Sequence, residues 1–467
     1  MENGSGYWGL LVKDFDTIAA IATPAGNGAV GIIRLSGAQA LEILSKVWAK
    51  IREEQVGVQA FEPRRIYFGK IVSIKDRSML DQVLCFMMKA PSSYTGEDVV
   101  EIQGHGGQRV MDLLLENFIL AGARPAEPGE FSKRAFLNGR MDLSQAEAIA
   151  DLIQATSARA VRLAERQLEG QLSEYVGRLR NELKVMRAQM EAMIDFPEDE
   201  DVQGLRYEEI IERIDRVRTR IEMLLTTYEE GRFLREGVHV AILGKPNVGK
   251  SSLFNALLKQ DRAIVHSAPG TTRDVIEEVL DLNGLTVRFM DTAGIRAGKD
   301  VIESEGIRRA RERLAGADLI LVVLDSSRPL DPEDEMVLEM VGERPTLFLY
   351  NKIDLPPAFT RAQVIPISAK QDQGIDEVKR MIVGHFLKNT ISGRGSEIVL
   401  TNLRHRTALQ KGNESLERVR EASLEKKSLE FLVADLSIAM DFLGEVTGDV
   451  TNDEILGEIF SKFCIGK

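Results

Sequence analysis

Residues 244–251 read Gly-Lys-Pro-Asn-Val-Gly-Lys-Ser, and this segment constrains the fold more than any other. It follows an apolar, strand-like run at 238–243 and precedes a segment with helical spacing. A glycine-rich turn in that context holds phosphate groups, because its backbone N–H groups and the positive end of the helix face the anion. We expect Lys250 to pair with phosphate oxygens and Ser251 to offer a hydroxyl to Mg²⁺. The loop residues predicted to contact the ligand are Gly244, Asn247, Val248, Gly249, Lys250, Ser251 and Ser252.

The sequence around this loop alternates between strands and helices. Apolar runs at 238–243, 319–324, 346–350 and 364–367 are separated by helical segments. Runs that are apolar throughout are typical of strands buried on both faces. The pattern between 236 and 388 therefore predicts a doubly wound, mainly parallel sheet.

The composition changes on both sides of this α/β region. Residues 1–139 mix short β-branched runs with helical stretches, which predicts an α+β domain. Residues 140–235 and 389–467 have helical spacing, and the second segment has too few apolar residues for a large core of its own. We therefore predict one split helical domain, formed by 140–235 and 389–467, with the domain at 236–388 inserted into it. The second segment ends in a Cys-Ile-Gly-Lys tail.

Composition excludes several classes of protein. The formal net charge is −12, so no general basic surface indicates nucleic acid binding. Two cysteines, Cys85 and Cys464, cannot form a disulfide framework or a four-thiolate zinc site. We find no apolar run long enough to span a bilayer and no leader pattern at the N-terminus, so we expect a cytoplasmic protein that does not enter a membrane.

Three short motifs follow the phosphate loop in a fixed order. Asp291-Thr292-Ala293-Gly294 follows a predicted strand, where an aspartate near Mg²⁺ and a glycine that senses the γ-phosphate are expected. Asn351-Lys352-Ile353-Asp354 ends another strand, and the Asp354 carboxylate can accept from both N1–H and N2–H₂ of guanine, a donor pair that adenine lacks. Ser368-Ala369-Lys370 would add a backbone N–H for guanine O6. The order predicts a switch that binds GTP.

The residue after Gly294 is Ile295, so the glutamine that orients the attacking water in many GTPases is missing. Asp300, Glu303 and Glu305 are the acidic alternatives nearby, although each also fits a solvated acidic face. Charge in the transition state could be neutralised by an arginine, by a partner or by a monovalent cation. Asn247 could offer its amide oxygen to such a cation.

Several segments spread over 16–467 together resemble one family, the tRNA modification GTPases called MnmE or TrmE. These segments are 16–20 (DTIAA), 95–98 (TGED), 103–107 (QGHGG), 128–131 (PGEF), 145–148 (QAEA), 194–197 (IDFP), 270–274 (GTTRD) and 463–467 (FCIGK). The resemblance implies a folate-binding N-terminal domain and a split helical domain that carries an inserted GTPase domain.

The resemblance also implies roles for particular residues. Glu303 would orient the hydrolytic water, and Asn247 and Lys250 would act with it in catalysis. Ser251 and Thr272 would bind Mg²⁺. A potassium ion would take the place of an arginine finger, and its ligands would be Asn247, His266, Ala268 and Thr271.

By the same resemblance, the N-terminal domain would dimerise and bind 5-formyltetrahydrofolate or a related reduced folate. The matching folate positions are Arg34, Glu101, Arg140 and Lys467. Arg140 replaces an expected lysine, which keeps the charge but changes the donor geometry. The partners implied are the FAD-dependent protein MnmG, in a heterotetramer or larger complex, and tRNA, whose wobble uridine is modified at C5.

Three functions are therefore open from the sequence. The first is a GTP hydrolase, acting on an acid anhydride, within a tRNA-modifying complex. The second is a switch similar to ribosome-assembly GTPases, which usually carry an RNA-binding module where this chain has helices. The third is a folate-dependent one-carbon transferase that its GTPase domain only regulates. Cys464 is a candidate nucleophile or a bystander, since no base stands beside it in the sequence.

Overall fold

The computed structural model describes residues 16–51, 61–196, 205–259, 278–290, 314, 316–359, 363–387 and 398–467. Contacts between residues divide the chain into two compact units. One unit contains residues up to Ala150 together with Thr447–Lys467, and the other contains Asp151–Val446.

The first unit is built on a sheet with the strand order β3-β4-β5-β6-β2-β1-β7. Neighbouring strands are antiparallel, except that β1 and β7 are parallel. The strands are β1 (Ile18–Ile21), β2 (Val30–Ser36), β3 (Trp48–Ala49), β4 (Tyr67–Val72), β5 (Met79–Met88), β6 (Val99–His105) and β7 (Arg124–Pro125). Helices α1 (Ala40–Val47) and α2 (Gln108–Leu120) contribute buried residues to a shared core with alternate residues of these strands.

Side chains alternate between the two faces of the sheet along β2 and β6, so every second residue points away from the core. Ile33 and Leu35 lie in the core, so Arg34 between them lies on the opposite face. Its register partner on β6 is Glu101. Helix α3 (Glu130–Leu137) covers part of this opposite face, where Phe131 packs with Ile18 of β1.

The C-terminal residues belong to the same unit. Helix α14 (Asp453–Ser461) packs against α3 and against the start of α4 (Leu143–Gln154). Gly129 allows the close approach, because a Cβ at this position of positive φ would lie 2.5 Å from the Phe460 carbonyl oxygen. The chain end is thereby placed beside the N-terminal sheet.

The second unit contains a helical bundle. Its helices are α5 (Ala158–Leu168), α6 (Gln171–Asp195), α7 (Tyr207–Thr226), α8 (Tyr228–Glu236), α12 (Leu403–Leu424) and α13 (Leu429–Thr447). Buried residues from 172–228 and from 400–446 form one core, so the two helical segments pack together across the α/β insertion. Helix α14 contributes to a separate core with α4, which lies in the first helical segment, and with α3, which precedes that segment. The domain boundaries given above remain predictions.

The α/β part of the second unit has the strand order β13-β12-β11-β8-β10-β9, parallel except for β9. Its strands are β8 (Val238–Leu243), β9 (Glu278–Leu282), β10 (Leu285–Met290), β11 (Leu319–Asp325), β12 (Thr346–Asn351) and β13 (Ile365–Pro366), and its helices are α9 (Lys250–Leu258), α10 (Pro332–Val341) and α11 (Ile375–Phe386). Along β11, Leu321 and Val323 enter one core and Ile320 and Val322 enter another. Both faces are therefore covered, which confirms the predicted doubly wound sheet.

No described helix combines the length and the apolarity that crossing a bilayer would take.

Candidate functional site

The loop at 244–251 connects strand β8 to helix α9, as the sequence predicted. Gly244 has φ +153°, and a Cβ there would lie 2.5 Å from the Val323 carbonyl oxygen of the neighbouring strand. Gly249 has φ +102°, and a Cβ there would overlap the side chain of Asn351. Both positions therefore require glycine, and the loop lies close against β11 and β12.

Lys250 begins helix α9 and turns its side chain back into the loop. Its Nζ donates to the carbonyl oxygens of Gly244 at 2.6 Å and Lys245 at 2.8 Å. Burial lowers the pKa of Lys250. Ser251 and Ser252 follow in the exposed first turn of the helix. The unpaired N–H groups of this turn, the helix dipole and an ammonium group together suit a phosphate chain.

Asn351, at the end of β12, joins this loop to a second loop. Its side chain is buried, with Nδ2 donating to the Val248 carbonyl oxygen at 2.7 Å. Its Oδ1 accepts from the backbone N–H of Ala369 at 3.0 Å. Because Val248 lies in the phosphate loop and Ala369 follows β13, one amide group fixes the spacing of the two loops.

Asp354 lies exposed beyond the end of β12 and is oriented by Ser368. The Ser368 hydroxyl donates to Asp354 Oδ1 at 2.7 Å, and this hydrogen bond holds the pKa of Asp354 below its usual value. The carboxylate is therefore charged near neutral pH and can accept two hydrogen bonds from a base. Lys370, two residues after Ser368, is also exposed.

Lys352 has φ +69° and pairs with Asp325 at the end of β11, where Nζ lies 2.5 Å from Oδ2. Burial would raise the pKa of Asp325, but hydrogen bonds from Lys352 and Ser327 outweigh burial and lower it. The ion pair holds the lysine stem beside the loop that contains Asp354.

Several predicted site residues lie outside the described residues. They are His266, Ala268, Thr271, Thr272, Asp291, Thr292, Ala293, Gly294 and Glu303. Strand β9 follows residues 266–272 and pairs with β10. Strand β10 precedes residues 291–294 and pairs with β8 in parallel.

The first unit contains a second group of predicted residues. Arg34 Nε donates to Glu101 Oε1 at 2.8 Å, and Nη1 donates to the Gly466 carbonyl oxygen at 3.4 Å. The side chains of Arg34 and Glu101 are only 16% and 12% exposed. The C-terminal tail thus reaches Arg34 on β2, and Lys467 is the residue that follows this contact. Arg140 lies exposed, with its side chain next to Gly96.

The sequence analysis did not identify two aromatic residues that belong to this second group. The Arg34 guanidinium lies 5.4 Å from the ring centre of Tyr94 and 5.7 Å from that of Phe131. Aromatic rings at these distances attract a cation and offer flat apolar surfaces. Tyr94 directly precedes segment 95–98 and Phe131 is the last residue of segment 128–131, so both positions were marked by the family resemblance.

Comparisons with known proteins match nearly the whole chain to one family. A family model described as the MnmE helical domain matches residues 143–464, and one described as the GTP-binding protein TrmE N-terminus matches 17–140. The tRNA modification GTPase MnmE of Geobacter metallireducens is 45% identical over 458 residues, which cover 97% of this chain and 99% of that protein. The protein of the same name from Aquifex aeolicus is 44% identical over 461 residues, covering 97% and 100%.

Among solved structures, Aquifex aeolicus Era bound to GDP.AlF4- is 28% identical, with 38% of this chain and 66% of that chain covered and a TM-score of 0.26. The long, nearly complete matches to curated relatives decide the family. This chain belongs to the tRNA modification GTPases of the MnmE (TrmE) family.

Proposed function

We propose that this GTPase binds GTP and Mg²⁺ at the loop of residues 244–251 and hydrolyses GTP with the help of potassium. Hydrolysis would drive modification of C5 of the wobble uridine in certain tRNAs in the cytoplasm, with a one-carbon unit from reduced folate and with the FAD-dependent MnmG as partner. The observation that best supports the nucleotide assignment is the pair of hydrogen bonds made by the Asn351 side chain. It sets a phosphate-binding loop and a base-binding loop at a fixed spacing.

The residues of the loop suit both parts of a magnesium nucleotide. Lys250 would exchange the carbonyl oxygens of Gly244 and Lys245 for phosphate oxygens, which are stronger acceptors because they are charged. The Ser251 hydroxyl at the start of α9 is the hard oxygen ligand that Mg²⁺ prefers. Thr272, the second proposed ligand, lies outside the described residues. When bound, Mg²⁺ would neutralise charge on the phosphates.

Potassium activation is proposed from the chemistry of the loop. Asn247 is exposed in the loop with φ +63°, and its amide oxygen can ligate a monovalent cation. Such a cation would supply positive charge where a glutamine and an arginine finger are missing. The other proposed ligands, His266, Ala268 and Thr271, and the water-orienting Glu303 lie outside the described residues.

Folate binding is proposed for the face of the N-terminal sheet that carries Arg34. A reduced folate has a flat pyrimidine ring with several donors and acceptors, fused to a saturated ring, and a carboxylate-bearing tail. Tyr94 and Phe131 offer rings, Glu101 offers an acceptor for ring N–H groups, and the cationic Lys467 is brought near by the tail. Arg140 would add a second cation.

Exposed apolar side chains on the same face of the N-terminal sheet support the proposal of a homodimer formed through this domain. Phe68 and Leu84 are cross-strand partners on β4 and β5, and they are 58% and 39% exposed. Exposed apolar side chains that adjoin on a sheet are typical of an interaction surface. A second copy of this domain is the partner that we propose.

The choice of GTP is tested by changing the base-reading carboxylate. In Asp354→Asn, an amide N–H₂ faces the guanine donors, so GTP affinity should fall by about tenfold or more. Affinity for xanthosine triphosphate, which has a carbonyl in place of the guanine amino group, should rise. Calorimetric titration of both nucleotides checks this, with Asp376→Asn in the exposed first turn of α11 as control. Unchanged GTP affinity in Asp354→Asn would remove Asp354 from the site.

Potassium activation is tested by GTP hydrolysis rates in potassium and sodium salts at equal ionic strength. The rate should be on the order of tenfold or more higher in potassium, because an ion at Asn247 would stabilise the transition state. Asn247→Ala should erase the difference, and Glu303→Ala should stop hydrolysis while GTP still binds. Asn255→Ala, an exposed asparagine on α9, is the matched control. Equal rates in the two salts would contradict the proposal.

The folate site is tested by calorimetry of 5-formyltetrahydrofolate with the full-length dimer and with a chain lacking residues 464–467. Truncation removes the Gly466 carbonyl that Arg34 contacts and the terminal lysine, so folate affinity should fall by about tenfold or more. Cys464→Ser keeps both groups and should bind folate as the unchanged protein does. GTP binding should be equal in all three proteins. Full folate affinity in the truncated chain would exclude the tail from the site.

A further inference from the structure

Lys245, the second residue of the phosphate loop, makes contacts that the roles above leave unexplained. Its Nζ lies 2.6 Å from Asp331 Oδ2 and 2.6 Å from Asp334 Oδ2. The side chains of Lys245 and Asp334 are 10% and 3% exposed. Removing one partner of a buried ion pair leaves the other charge uncompensated, so such a pair strongly disfavours separation of the elements that carry it.

Helix α10 holds the two carboxylates in place. Asp331 is its N-cap, and Asp331 Oδ1 accepts from the backbone N–H groups of Glu333 and Asp334. Asp334 Oδ2 accepts in return from the backbone N–H of Asp331 at 3.2 Å, which completes a capping box. Pro332 fixes the first helical residue. The cap of the helix therefore holds both carboxylates in position independently of Lys245.

The loop side of the contact is equally constrained. The carbonyl oxygens of Gly244 and Lys245 both accept from Lys250 Nζ, the group assigned to the phosphates. Gly244 is packed against the Val323 carbonyl oxygen on β11. The backbone of Gly244 and Lys245 is thus held by β11 on one side and, through the Lys245 side chain, by α10.

We propose that Lys245 is a positioning residue for nucleotide binding, which anchors the first half of the phosphate loop to the N-terminus of α10 so that the loop is preformed for the phosphates. This inference rests on the proposed nucleotide site. A preformed loop loses less conformational entropy when the nucleotide binds. Without the anchor the loop is less ordered, and the nucleotide dissociates faster. Because the loop cradles phosphates that GDP and GTP share, the anchor contributes equally to both nucleotides.

Stopped-flow binding of fluorescent mant-GDP and mant-GTP to the full-length protein tests this role. Lys245→Met should weaken both nucleotides by the same factor, about tenfold or more, mainly through faster dissociation. Lys245→Arg can still pair with both carboxylates and should restore affinity to within about threefold. Lys259→Met removes an exposed lysine–aspartate pair in the same domain and should bind as the unchanged protein does.

A second variant separates anchoring from folding. Asp334→Asn keeps an acceptor for the capping N–H but leaves the buried Lys245 charge paired only with Asp331, so its melting temperature should fall. At a temperature where circular dichroism shows this variant fully folded, it should still release both nucleotides faster. Normal dissociation rates in Lys245→Met and Asp334→Asn, alongside lost binding in Lys250→Ala, would overturn the anchor alone. Failure of the unchanged protein to bind either nucleotide would overturn the nucleotide site and the anchor with it.

Discussion

Two hydrogen bonds made by the buried side chain of Asn351 determine the spacing on which the nucleotide site depends. They join the Val248 carbonyl oxygen in the phosphate loop to the Ala369 N–H in the loop after β13. Leaving a buried backbone group without its hydrogen-bond partner lowers the stability of the fold by roughly 1–3 kcal/mol. Because moving the loops apart would break both hydrogen bonds, the two loops are held at one separation. Ser368 orients Asp354 from the same loop, and Lys245 holds the other half of the phosphate loop on α10. Each contact fixes a different part of one ligand site.

The N-terminal unit also depends on a contact between distant parts of the chain, which the C-terminal tail makes. Helix α14 packs on α3, and the tail after it reaches Arg34 on β2, so residues 432 positions apart in sequence meet. The proposed folate site therefore includes residues from both the N-terminal sheet and the C-terminal tail.

The sequence predicted the elements better than the contacts between them. The apolar run at 238–243 matches β8, and the helical segment expected after the phosphate loop matches α9, because burial imposes a local periodicity on strands and helices. The order of the GTPase motifs placed Asn351 and Asp354 at the carboxyl end of β12. The ion pair of Lys245 with Asp334 and the stacking of Tyr94 and Phe131 on Arg34 were not predicted. These contacts join distant segments, and they depend on how helices and strands pack, which no local pattern records. The packing of α14 on α3 was missed for the same reason.

The most direct test of the account is the affinity of Asn351→Ala for GTP and GDP, measured by calorimetry beside Asn255→Ala. If Asn351 sets the spacing of the two loops, both affinities should fall by about tenfold or more, since Val248 and Ala369 would each lose a buried partner. The exposed Asn255 should have no effect. Nucleotide affinity in Asn351→Ala equal to that of the unchanged protein would contradict the claim that this side chain assembles the site.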